Sequence, residues 1–277
     1  MLALLISIGI SITFIIAGMK AGYGTAALVF NGVAGLVLPQ LLIVALLRKK
    51  SKKLADDLQG IMLAGQKRMN IKVSQLQQKA GGNVKLMQRQ LEKGQHEVFQ
   101  KALGFTAEFE PLKKWNLMMG RQIATMRLQF LYQLKEFDKV DELLAKGLLR
   151  GPIMMEPLTV AMKMARQFKN NDIAGAEKTF NWHIKFFRGN RGTLLYGLMS
   201  WIYMKQGESE KARQLLLKGK EATANETLAK NWELLSNAKD KQFSNKGLGD
   251  EWYGLYLEAP PAPKTQRMRP PKGGRRF

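Results

Sequence analysis

Three segments, FDKVDELL (137–144), IAGAEKTF (173–180) and SEKARQLL (209–216), decide the fold of this chain. Val140, Ala176 and Ala212 occupy the same place in each, 36 residues from one copy to the next. Such a period is expected when a helical hairpin cannot bury its apolar face alone and packs on copies of itself. The pattern predicts an all-α chain containing an α-solenoid of about three helical hairpins.

At these residues the chain resembles a tetratricopeptide repeat. In the third copy Tyr203, Gly207, Ala212 and Leu216 stand at the spacing of that motif's aromatic, interhelix glycine, small and bulky positions, within the stretch KQGESEKA (205–212). In the first copy Tyr132 lies one residue off and Pro152 stands where the motif's terminal proline belongs. Asn171 replaces the glycine in the second copy, and the period is 36 where the family usually has about 34, so slightly altered hairpin loops are expected. The resemblance covers residues 121–228, with residues 228–238 as a capping helix.

The resemblance implies a protein-interaction scaffold without catalysis, in which the first helices of successive hairpins line a concave groove. By motif position that groove includes Gln129, Tyr132, Gln133, Ala165, Phe168, Lys169, Trp201, Met204 and Lys205. Phe168 and Trp201 are read equally well as core. Members of the family that clamp a C-terminal carboxylate use Lys and Asn where this chain has Gln129, Ala165 and Trp201, so that ligand class is not expected.

Upstream, residues 2–19 and 25–47 are runs of apolar or small residues, separated by Lys20 and the turn Gly22, Tyr23, Gly24. At ~1.5 Å per residue each is long enough, the first only just, to cross a ~30 Å hydrocarbon core, which predicts two transmembrane helices. A cleaved signal peptide needs basic residues ahead of its apolar run, and no Lys or Arg precedes Leu2. Arg48, Lys49, Lys50, Lys52 and Lys53 follow the second run while the loop carries Lys20 alone, so both termini are expected in the cytoplasm. The same cluster suits anionic lipid, at about 1 kcal/mol per cation. Ser7 with Ser11, Gly9 with Thr13, and Gly32 with Gly35 put small residues on one helix face, for packing within the chain or on a partner. Asn31, Pro39 and Gln40 are costly in lipid and suggest a polar contact with another membrane subunit.

The expected organisation is a transmembrane hairpin over residues 1–47, a basic helical stalk over 48–104, the repeat domain over 105–243, and an aromatic segment and disordered tail over 244–277. In the stalk, Leu58, Ile61, Gly65, Met69, Val73 and Leu76 advance by threes and fours, as one face of a helix does; Gly81, Gly82 and Asn83 mark a break before a second such run. Trp252, Tyr253 and Tyr256 are expected either to dock back on the repeats or to serve as a linear motif. The tail carries Lys264, Arg267, Arg269, Lys272, Arg275 and Arg276 among prolines, without an acid.

There are 44 Lys and Arg against 22 Asp and Glu, a formal charge of +22, and no cysteine. Disulfides, thiol catalysis and thiolate metal sites are therefore excluded, and anionic partners favoured. His96 and His183 lack the spacing partners of a metal site or a catalytic dyad, and no phosphate-binding loop or nucleophile elbow occurs, so neither enzyme activity, metal nor cofactor is expected. Trp182, Phe186 and Phe187 beside Lys185 and Arg188 close a helical hairpin or stack bases. The leading expectation is a membrane-tethered adaptor in the bacterial inner membrane, similar in architecture to the membrane-anchored tetratricopeptide subunits of secretion and polysaccharide-export machines. The alternative is a membrane-anchored protein that binds RNA or ribosomes through its basic stalk and tail.

Overall fold

A computed structural model describes residues 2–79, 84–116, 118–147 and 156–260. Among these every regular element is helical. The Gly81 to Asn83 break, Pro152 and the basic tail from Lys264 lie outside the described residues. The chain divides into two compact units, residues 1–166 and 167–277.

Unit 1 opens with α1 (Leu2–Lys20) and α2 (Thr25–Lys79), both containing stretches long and apolar enough to cross a membrane. The two helices approach closely because small residues line their seam. Ser7, Ser11, Gly32 and Gly35 are buried there, and the Ser11 hydroxyl donates to the Gly32 carbonyl at 2.7 Å. A Cβ on Gly35 would sit 3.0 Å from the Ser11 Cα. Intrachain packing therefore accounts for these four, whereas Gly9 and Thr13 are exposed. Large side chains such as Phe30 and Leu42 point outward from the same helices, at 73% and 67% exposure, which suits a hydrocarbon solvent.

The second apolar run and the first stalk helix are one element. α2 has 55 residues, about 80 Å at 1.5 Å each, and the compositional boundary at 47/48 leaves no mark on its backbone. Helical hydrogen bonds are indifferent to side-chain polarity, and no Gly, Pro or capping residue stands at Leu47 and Arg48 to end the helix. α3 (Val84–Phe105) returns antiparallel to the far half of α2. A Cβ on Gly65 would meet Val98 at 2.2 Å, and one on Gly94 would meet Met69 at 2.8 Å, so these two glycines set the spacing of the pair. The 3-10 segment Thr106–Lys114 and α4 (Met119–Gln133) then pack Phe109, Leu112, Met119 and Ile123 against Leu47, Leu54 and Leu58 of α2.

The repeat is visible in the helix ends. α4, α6 (Pro157–Lys169) and α8 (Thr193–Lys205) end 36 residues apart, and α5 (Phe137–Ala145), α7 (Ile173–His183) and α9 (Ser209–Thr223) begin 36 apart. Between them Lys135, Asn171 and Gly207 all take the left-handed conformation, at φ 59°, 59° and 78°. The next residue's N–H closes each turn on the carbonyl five residues back: Glu136 to Leu131 at 3.0 Å, Asp172 to Gln167 at 2.8 Å, Glu208 to Tyr203 at 2.9 Å. This is the Schellman ending of a helix, three times in one register. The replacement of glycine by Asn171 leaves the loop unaltered, because Asn tolerates the left-handed region. Val140, Ala176 and Ala212 are each fully buried. In unit 2, α10 (Glu226–Ser236) covers α9, with Leu228 and Leu235 on Ala212 and Leu216, as a capping helix should.

Candidate functional site

The second helices of the first two hairpins, α5 and α7, each offer a carboxylate to the helix that follows. In unit 1 Asp141 of α5 accepts two hydrogen bonds from the Arg166 guanidinium of α6, at 2.9 and 2.6 Å. Arg166 also lies 4.6 Å over the Phe137 ring. In unit 2 Glu177 of α7, one period after Asp141, accepts from the Tyr203 hydroxyl of α8. Burial first, and then this hydrogen bond, push the Tyr203 phenol above its ordinary range. The hydrogen bond to Asp141 raises Arg166 further.

The positions expected to line a groove fall into two sets. In unit 1 the Gln129 amide donates to the Thr159 hydroxyl at 3.1 Å, Tyr132 is buried edge-on to Phe137, Gln133 is half-buried and Ala165 is buried. In unit 2 Phe168 meets Trp201 edge-to-face at 5.1 Å, Met204 packs against the α9 and α10 core, and Lys169 and Lys205 are exposed. Lys205 lies 5.1 Å over the Trp201 ring.

Trp201 is only 5% exposed because the C-terminal segment covers it. Trp252, on the short helix α11 (Asp250–Tyr253), packs edge-to-face on Trp201 at 5.7 Å and is itself fully buried. Glu258 then accepts from both indoles, from Trp201 Nε1 at 2.8 Å and from Trp252 Nε1 at 2.9 Å. The segment is held further by Asn245, whose amide donates to the Gly197 carbonyl at 2.8 Å and whose oxygen accepts from Asn231 at 3.0 Å. Of the two expectations for Trp252, docking is the one seen. Glu258 is the residue that sequence reasoning missed; its only signal is a carboxylate within one short segment containing Trp252.

The aromatic residues near the end of α7 separate. Phe187 is buried, while Trp182 and Phe186 are 50% and 47% exposed, with the Lys185 ammonium 4.8 and 5.7 Å from their ring centres. His96 is exposed; His183 is buried with Nδ1 2.7 Å from the Thr179 carbonyl, to which it donates. Arg48, Lys49, Lys50, Lys52 and Lys53 are all exposed on α2. No three metal-ligating side chains converge among the described residues.

The class these features define is an all-helical protein with two helices long and apolar enough to cross a membrane and with helix ends and left-handed turns that recur every 36 residues. Comparison with protein-family models, with curated proteins and with solved structures finds no match.

Proposed function

We propose that this chain is a non-enzymatic, membrane-tethered, tetratricopeptide-like adaptor that holds protein partners at the cytoplasmic face of a membrane. The reading extends to the bacterial inner membrane and to an envelope-biogenesis, secretion or polysaccharide-export assembly as its setting. The observation that carries it is the same left-handed turn at Lys135, Asn171 and Gly207, following a pair of apolar helices on one chain. Packed repeats offer long surfaces suited to partner segments.

The test is crosslinking and affinity purification of the full-length protein from its native membrane. Phe168→Ala and Trp201→Ala are poor probes, since both would disrupt the interior. Lys169→Glu with Lys205→Glu changes exposed groove positions, and Trp182→Ala with Phe186→Ala removes the exposed aromatic pair. Loss of partners in the first variant supports the groove, and loss in the second alone moves binding to the end of α7. Partners retained by both variants overturn the groove and place binding on another surface, and no specific partner at all overturns the adaptor reading.

RNA binding is the second reading, favoured by Lys185 between two half-exposed rings, an arrangement that stacks bases and neutralises phosphate. It requires an affinity that falls steeply with salt and weakens on Trp182→Ala.

A further inference from the structure

We infer that the membrane-facing end of unit 1 holds one anionic phospholipid, an inference that rests on the reading of α1 and α2 as a membrane hairpin. A cavity of about 710 Å³ lies between the start of α1, the middle of α2 and the turn into α4. That is within the ~300–1,000 Å³ of ordinary ligand sites and suits a headgroup, its glycerol and the first part of the acyl chains.

The lining changes character along α2. Gln40, Val44, Arg48 and Lys52 follow one another at four-residue intervals on one face, about 18 Å from first to last at 1.5 Å per residue. Leu4 of α1 and Val44 provide an apolar wall at hydrocarbon depth, and Arg48 and Lys52 stand where phosphates lie. Trp115, half-buried, faces the same space, and an indole is at home at the headgroup level. No acidic side chain lines the cavity, and neither Arg48 nor Lys52 makes an ion pair with a described residue.

Gln40 is the independent sign. An amide inside an apolar span is costly unless something answers it, and its side chain has no hydrogen bond to a described residue. It borders the cavity one turn deeper than Val44, where polar groups of a bound lipid, or water that enters with it, can answer the amide. A zwitterionic lipid brings its own cation to Arg48 and Lys52, so charge selects the anionic class.

Lys49 and Lys50 belong to the same basic run but do not line the cavity, which separates a site from general attraction to a charged surface. The full-length protein is incubated in detergent with equal phosphatidylglycerol and phosphatidylcholine, and retained lipid is counted by native mass spectrometry. One phosphatidylglycerol per chain is expected. Arg48→Ala with Lys52→Ala should weaken retention by about thirtyfold, from two cations near a phosphate, while Lys49→Ala with Lys50→Ala leaves it unchanged. Leu4→Trp, which narrows the cavity from an exposed position without changing charge, should also weaken retention of the lipid. Equal loss in both double variants, or equal retention of the two lipids, overturns the site. Alkaline carbonate extraction of the same membranes separates the two failures. Release of the protein removes the membrane reading itself, whereas a protein that stays in the membrane and retains no lipid removes only the site.

Discussion

Lys135, Asn171 and Gly207 hold one turn geometry with three side chains of unequal tolerance. Glycine meets no penalty in the left-handed region, Asn a small one, and Lys about 1–2 kcal/mol. Lys135→Gly should therefore raise stability by about 1 kcal/mol, and Gly207→Ala should lower it by a similar amount, read as opposite shifts of the thermal midpoint of the full-length protein in detergent. Equal shifts of one sign would show that the turns are not equivalent. Glu258 supports a larger expectation. Removing its carboxylate leaves the Trp201 and Trp252 N–H groups buried without their acceptor, at about 1–3 kcal/mol for each unsatisfied donor. Glu258→Ala should cost about 2–4 kcal/mol and shift tryptophan emission to the red as water reaches the rings; Glu258→Gln, which keeps one acceptor oxygen, should fall between. An unchanged melt in Glu258→Ala would mean that the segment is held by its apolar packing alone.

α2 shows where local signals succeed and where they stop. Its apolar run and the four-residue steps of its far half were legible because each depends only on neighbours in sequence. The continuity of the two was not, because the change from Leu47 to Arg48 alters the solvent a helix prefers and not its hydrogen bonding. Likewise Gly207 and Asn171 advertise a turn, whereas Lys135 adopts it silently. The 57-residue separation of Trp201 and Glu258 hides their pairing from any periodicity. The α2 and α3 pair carries its own prediction. Gly65→Ala improves helix propensity by about 1 kcal/mol, yet its methyl would meet Val98 at 2.2 Å, so the two helices must separate or Val98 must move. The net effect should be a loss of about 1–3 kcal/mol, as for other overpacked seams. Val98→Ala on top of Gly65→Ala should recover most of it. A single variant as stable as the native chain, or a double variant no better than the single, would contradict the glycine-set spacing.

For the molecule as a whole, the direction of the hairpin governs every proposed role, since an adaptor for cytoplasmic partners needs its repeats on that side. Five cations directly after the apolar run of α2, against Lys20 alone in the loop, predict that a spanning hairpin would hold the short loop outward and the repeats inward. The absence of cysteine makes this directly measurable, because any introduced thiol is the only one in the chain. Tyr23→Cys places it in the loop between α1 and α2, at an exposed residue, and Lys241→Cys places it at an exposed position after α10. With intact spheroplasts and a membrane-impermeant maleimide, Tyr23→Cys should label at once and Lys241→Cys only after the membrane is opened. Neutralising Arg48, Lys49, Lys50, Lys52 and Lys53 together should mix the two patterns, because little charge asymmetry near the apolar runs would remain. The reverse labelling in the native-charge background would put the repeats outside and remove the cytoplasmic adaptor. Labelling of both sites without permeabilisation would show that the two apolar helices do not form a spanning hairpin.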